Sequence, residues 1–178
     1  MPPFEPRFAN MTDFAPSDLA QPAHTQPPAA NLPLKGIRVV EFSHMVMGPA
    51  CGMVLADLGA EVIKVEPVTG DLTRNLLGAG AGFFPMFNRN KKSIAIDLRN
   101  AEGVQAAIRL ASTADVVLQN FKPGVMKKYG LDYASLSRLN PGLIYVNHTG
   151  FLPGPYERRT ALDEVVQMMG GLAYMTGR

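Results

Sequence analysis

From Leu34 onward, hydrophobic positions along the chain fall into two alternating patterns. Short β-branched runs predict strands: "GIRVVEF" (36–42), "AEVIKVEP" (60–67), "KSIAIDL" (92–98), "DVVLQNF" (115–121) and "GLIYVNHTG" (142–150). Between the first two lies "SHMVMGPACGMVLADLG" (43–59), which predicts a helix with Pro49 in its first turn and Gly59 at its C-terminal cap. "AEGVQAAIRLASTA" (101–114) has amphipathic helical spacing, and "PGVMKKYG" (123–130) and "YASLSRLN" (133–140) predict two shorter helices. The first strand, helix and strand occupy roughly 30 residues, the size of a βαβ unit. Such a unit has parallel strands and a right-handed crossover. Its repetition predicts the α/β class: a doubly wound, mainly parallel sheet covered by helices.

Two stretches depart from this rhythm. Residues 1–33 hold eight of the chain's 15 prolines and no apolar periodicity. Too little apolar surface is available there to offset the entropy of ordering, so a disordered Pro-rich tail is expected, and residues 34–178 form the folded part. The tail has no basic stretch followed by an apolar core, so no secretory leader is expected. Residues 67–91 carry Gly78, Gly80 and Gly82 and predict a flexible loop. Their G-x-G-x-G spacing does not follow a strand directly and differs from the G-x-G-x-x-G of a dinucleotide loop. Glu66 ends the second strand, where a ribose-binding acid would stand. The turn after the first strand lacks the glycine fingerprint, however, and a nicotinamide site is rejected.

Composition narrows the function by exclusion. Net charge is +2, which gives no electrostatic footprint for nucleic acid. No run of about 18 apolar residues is present, so no membrane span is expected. Cys51 stands alone, which excludes an internal disulfide and a Cys-rich zinc site. His24, His44 and His148 are too dispersed for a local metal motif, and a cytoplasmic location is expected.

In open α/β sheets, ligands bind beyond the C-terminal ends of the strands. That rule selects Ser43, His44, Met45, Val46 and Met47 after the first strand, Asp97 and Arg99 after the third, and Asn120, Phe121 and Lys122 after the fourth. Basic residues lie near in sequence: Arg89, Lys91, Lys92, Arg99, Lys122, Lys127, Lys128, Arg158 and Arg159. Phosphates require such partners, Phe121 offers a flat face to a base, and "HMVMGP" offers a polarizable apolar wall. A ligand with several phosphates, an aromatic base and a thin apolar arm, such as coenzyme A, suits this mixture. The competing reading is that most of these charges are ordinary solvated helix positions.

"LKGIRVVEFSHMVMGPACGMVLADLGAEVIKVEPVTGDLTR" resembles the opening of the class III CoA-transferases (CaiB/BaiF), the family of formyl-CoA transferase and the carnitine CoA-transferases. "NRNKKSIAIDLRNAEG", "ADVVLQNFKPGVMKKYGLDY" and "LNPGLIYVNHTGF" continue the match in order, so the resemblance covers about residues 34–178. It implies the N-terminal part of a Rossmann-like large domain, in a protein whose two chains interlock as a homodimer. It further implies transfer of CoA from a CoA thioester to a small carboxylic acid, with CoA as substrate and no tightly bound cofactor. In that chemistry an aspartate attacks the thioester and forms a covalent aspartyl intermediate.

By the same resemblance, Val46, Met47, Ile96, Arg99, Asn120, Phe121, Lys128 and Arg159 are the expected CoA-binding residues. Arg99 and Lys128 each exchange one basic residue of formyl-CoA transferase for another. The glutamine that enzyme carries on the Val46–Met47 loop is absent, and Thr160 replaces a lysine beside Arg159. The nucleophilic aspartate is expected beyond Arg178, so the 178 residues alone are expected to be inactive. Asp163 is assigned a structural role instead, in a T-x-x-D capping box with Thr160 as the cap. Acyl-CoA racemases of the same fold place a histidine directly before the acid aligned with Asp163. Leu162 stands there and cannot carry a proton, so racemase is the runner-up, beside a non-catalytic CoA-binding fragment.

Overall fold

The computed structural model describes residues 32–177. Nearly all of the stretch read as a tail lies outside the described residues. Leu32 and Pro33 are within them, and Leu32 packs directly over Gly59, where an added Cβ would lie 2.5 Å from Leu32 Cβ and the φ of +101° would strain any side chain.

Five strands form one parallel sheet in the order β3-β2-β1-β4-β5. They are β1 (Arg38–Phe42), β2 (Glu61–Glu66), β3 (Lys92–Ala95), β4 (Val116–Gln119) and β5 (Ile144–Asn147). This is the mixed α/β, Rossmann-like architecture that the alternating pattern predicts. β1 is central, with Val39 opposite Val62 on one side and opposite Val116 on the other register line. Successive side chains of a strand point to opposite faces, and that alternation sorts the core. Val40, Phe42, Val65 and Val117 pack with Ala107, Ala111, Leu131 and Leu136 on one face. Val39, Val62 and Leu118 pack with Ala56 and Ala60 on the other.

Helix α1 (Met47–Asp57) lies on the second face. Its buried positions Gly48, Gly52 and Ala56 recur every four residues and are all small, so the helix backbone comes close to the sheet. Helix α3 (Ala101–Ser112) follows α2, described below, and covers the first face through Ala107 and Ala111. Asn100 caps it by accepting a hydrogen bond from the Gly103 amide at 2.7 Å, and Arg109 complements the dipole in its last turn. The two helices predicted at 123–130 and 133–140 are shorter than their patterns: α4 (Val125–Lys128) and α5 (Tyr133–Leu136). Asn140 ends the latter segment by donating to the Ala114 carbonyl at 2.8 Å.

Residues 67–91 are not the bare loop expected. They form two 3₁₀ turns, Leu72–Asn75 and Gly78–Gly80, then helix α2 (Phe83–Asn88), which packs on α1. Local polar chemistry overrides the glycine signal. The Asp71 carboxylate accepts from the Thr73 amide at 2.9 Å and opens the first turn. Arg74 stacks over the Phe84 ring at 3.7 Å and ties turn to helix. Helices α6 (Asp163–Met169) and α7 (Leu172–Met175) end the described chain with exposed apolar side chains, Tyr174 at 90% and Met175 at 74%. Among the described residues no helix is long and apolar enough to cross a membrane.

Candidate functional site

From β1 the chain crosses to β2 on one side, whereas β4 lies on the other. The loops leaving β1 and β4 therefore diverge, and open α/β sheets bind ligands in the crevice this creates. A cleft of about 490 Å³ lies there, walled by His44, Met45, Val46 and Met47 from the first loop and Asn120, Phe121 and Lys122 from the second. His148, Thr149 and the 157–163 segment close its far side. A second cavity of about 370 Å³ opens beyond the ends of β2 and β3, lined by Val65, Ile96, Arg99 and Tyr129. Phe121 lines both, and its ring stacks on His44 with centroids 5.5 Å apart.

Three side chains hold the β1 loop from outside it. The Asn120 carboxamide accepts from the His44 amide at 3.0 Å and donates to the His44 carbonyl at 2.8 Å. Lys64 donates to the Ser43 carbonyl at 2.7 Å, and the Ser43 hydroxyl donates to Glu41 at 2.6 Å. These bonds support Met45 at a φ of 64°, a left-handed conformation that costs a non-glycine residue on the order of 1 kcal/mol.

Beneath the loop lies a buried charge cluster that sequence reasoning missed. Glu41 is fully buried and pairs with Lys91 at 2.8 Å and Lys64 at 3.5 Å. Lys64 also pairs with Asp71 at 3.0 Å, so two acids and two lysines balance. The signal was present in the strands. Glu41 follows Val39, and Lys64 follows Val62, at the spacing of one buried face. Burial pushes the Asp71 carboxyl up, but bonds from Thr73 and the Lys64 ammonium outweigh it and hold the group below the usual carboxylate range. Burial lowers Lys91 against the pull of Glu41. Glu66 is occupied too: burial opposes ionisation, yet a two-pronged Arg74 bond, the Ser93 hydroxyl and the Asp71 amide hold it at about 2.

Seven of the eight expected binding residues line one or both cavities. Val46, Met47, Asn120, Phe121 and Arg159 line the cleft, while Ile96 and Arg99 join Phe121 at the second cavity. Lys128 lines neither of these two cavities; its ammonium lies 5.5 Å from the Tyr129 ring centre. Several of the clustered basic residues have partners within the chain. Arg89 pairs with Asp57, Lys91 with Glu41, Lys92 with Glu61 and Arg99 with Asp97. Lys122, Arg158 and Arg159 remain at the cleft.

The capping box is not formed. Leu162 is the N-terminal cap of α6, no side chain caps it, and Asp163 is the first helical residue, accepting from Gln167. Thr160 lies two residues before the cap, too early to stand in the N-cap position itself. Asp163 nonetheless lines the cleft beside Thr160 and Leu162. Among the described residues no group of three or more His, Cys, Asp or Glu side chains converges as a metal site requires.

Residues 34–178 match the sequence profile of CoA-transferase family III. The chain belongs to that family. Formyl-CoA:oxalate CoA-transferase of Afipia carboxidovorans is 41% identical over 81% of this chain and 35% of its own length. Succinate–glutarate CoA-transferase of Agrobacterium fabrum is 45% identical over 86% of this chain and 41% of its own. Among solved structures, a CaiB/BaiF family protein of Brucella suis superposes with a TM-score of 0.74 at 47% identity. That match covers 79% of this chain and 40% of the Brucella chain. Rv3272 of Mycobacterium tuberculosis superposes with a TM-score of 0.75 at 44% identity, over 80% of this chain and 40% of its own. The chain thus spans well under half the length of these relatives.

Proposed function

We propose that this chain supplies the CoA-binding part of a family III CoA-transferase that moves CoA from a thioester to a small carboxylic acid. The observation that carries the reading is the cleft at the divergence of the β1 and β4 loops in a family III chain. It combines an apolar His44–Phe121 stack with the cations Lys122, Arg158 and Arg159. The cations suit phosphates, and the apolar walls of both cavities suit the pantetheine arm and base.

In the proposed reaction a carboxylate attacks the thioester carbonyl, expels the CoA thiolate and forms a mixed anhydride. The thiolate then attacks the enzyme's own carbonyl in that anhydride, releasing the donor acid and leaving an enzyme–CoA thioester. The acceptor acid reverses the sequence and leaves as its CoA thioester. In this reading the nucleophile is an aspartate outside residues 34–178. Asp163 serves at the start of α6, where a negative charge favours the helix dipole. The whole protein acts as a homodimer. The names of the relatives above refer to formyl-CoA, oxalate, succinate and glutarate, which supports a small mono- or dicarboxylate as the acceptor.

Calorimetric titration of the 178-residue chain with CoA tests the binding claim, with saturable binding that weakens as salt rises as the expected result. No heat of binding at millimolar CoA would sink it. Exchange between succinyl-CoA and a panel of labelled acids, assayed on the full-length gene product, tests the transfer claim.

A further inference from the structure

We propose that Asn120 is a positioning residue: its carboxamide clips the His44 backbone and fixes the loop that walls the cleft. What the loop is positioned to receive rests on the function proposed above; the clip itself does not. Asn120 is well placed to act as an anchor. Its own amide donates to the Phe42 carbonyl at 3.3 Å, extending the pairing of β4 with β1. The next residue is fixed as well, because the Phe121 amide donates to the Gln119 side chain at 2.7 Å.

From that rigid platform the carboxamide reaches across 76 residues of sequence to both polar groups of the His44 backbone. The approach is tight: a side chain at Gly48 would sit 3.2 Å from Asn120 Cγ and 2.6 Å from Ser43 Cβ. With Lys64 on the Ser43 carbonyl, three successive backbone groups of the loop are held by side chains from β2 and from the residue just after β4. A loop of four residues with a left-handed Met45 does not hold that shape by itself. The clip also sets the His44 ring parallel to Phe121, at an interplanar angle of 19°.

The test compares Asn120→Ala and Asn120→Asp with the wild-type 178-residue chain, first without ligand. In Asn120→Ala, amide exchange at residues 43–47 rises about tenfold, as expected for losing neutral hydrogen bonds. Exchange in β1 and α3 stays unchanged. The ring-current shift that Phe121 imposes on the His44 side-chain protons collapses. Asn120→Asp keeps the acceptor and restores protection of the His44 amide, a rescue that a general packing role would not produce. With ligand, Asn120→Ala weakens CoA about tenfold.

Unchanged exchange at 43–47 in Asn120→Ala overturns the clip, as does a uniform rise across the whole chain. Local loosening with unchanged CoA affinity overturns its role in ligand positioning. Absence of CoA binding by the wild type overturns the proposed function and the ligand-directed half of the inference. The exchange data alone then decide the clip. If Asn120→Ala does not fold, failure of Asn120→Asp to protect the His44 amide overturns the proposal.

Discussion

Gly52→Ala sets two physical effects against each other, and the structure decides between them. Gly52 is buried within α1, where alanine has the higher helix propensity by about 1 kcal/mol. Propensity alone therefore predicts stabilisation. A methyl group at this position, however, would lie 1.9 Å from Glu41 Oε2 and 3.1 Å from Lys91 Nζ. Ordinary carbon–oxygen contact needs well over an ångström more. The Glu41 carboxylate has nowhere to retreat: it is fully buried, one oxygen accepts from Ser43 at 2.6 Å, and the other pairs with Lys91 at 2.8 Å.

Relief requires either displacing that carboxylate from Lys91 or lifting α1 off the sheet. Breaking a buried ion pair costs about 3–5 kcal/mol. Against the propensity gain, the net loss is about 2–4 kcal/mol, a large share of the 5–15 kcal/mol typical of a domain. Equilibrium urea unfolding followed by circular dichroism reads this as a lower midpoint at unchanged slope. A midpoint equal to or above wild type would show that Glu41 relaxes freely, and the account of the buried cluster would be wrong.

Three further outcomes are expected. Glu66 has a folded pKa of about 2, below its ordinary 4.5, so its contribution to stability is full above about pH 4.5 and fades as pH falls toward 2. The urea midpoint of wild type therefore exceeds that of Glu66→Gln at pH 7, and the two converge near pH 2; a constant gap would contradict the linkage. Met45→Gly removes the left-handed penalty and stabilises by about 1 kcal/mol, read by thermal melting. Lys122→Ala and Arg159→Ala, at the cleft, each weaken CoA binding severalfold at low salt with melting temperature unchanged.

The strands were legible because their patterns are redundant. Val39, Val40, Val62, Val65 and Val117 are β-branched and buried, so propensity and burial agree. α3 was legible for the same reason, with Asn100 as its cap and Ala107 and Ala111 on one face. The charge cluster was obscured because Glu41 and Lys64 look like interruptions in apolar strands. Asp71 lies only seven residues past Lys64, but Glu41 meets Lys64 from 23 residues away and Lys91 from 50, separations that only the fold closes. The Thr160 cap failed because T-x-x-D is compatible with several helix starts, and the helix begins only after Leu162. The loops at the cleft could be chosen from strand ends alone. Which basic residues face it could not, since Arg89, Lys92 and Arg99 are taken up by acids that only the fold brings near or orients.

The strand order has a consequence for how the chain assembles. β1 is made first yet sits in the middle, and its second neighbour arrives late: Val39 lies opposite Val116, 77 residues onward. At a synthesis rate of about 5–20 residues per second, β1 waits roughly 4–15 s for β4. All four members of the charge cluster precede that point, since Glu41, Lys64, Asp71 and Lys91 lie within β1, β2 and the segment before β3. The Ser43 carbonyl can thus be seized by Lys64 while Asn120 has yet to be translated. The floor of the cleft is laid before β3 is translated, and its clasp closes only when the fourth strand slides in.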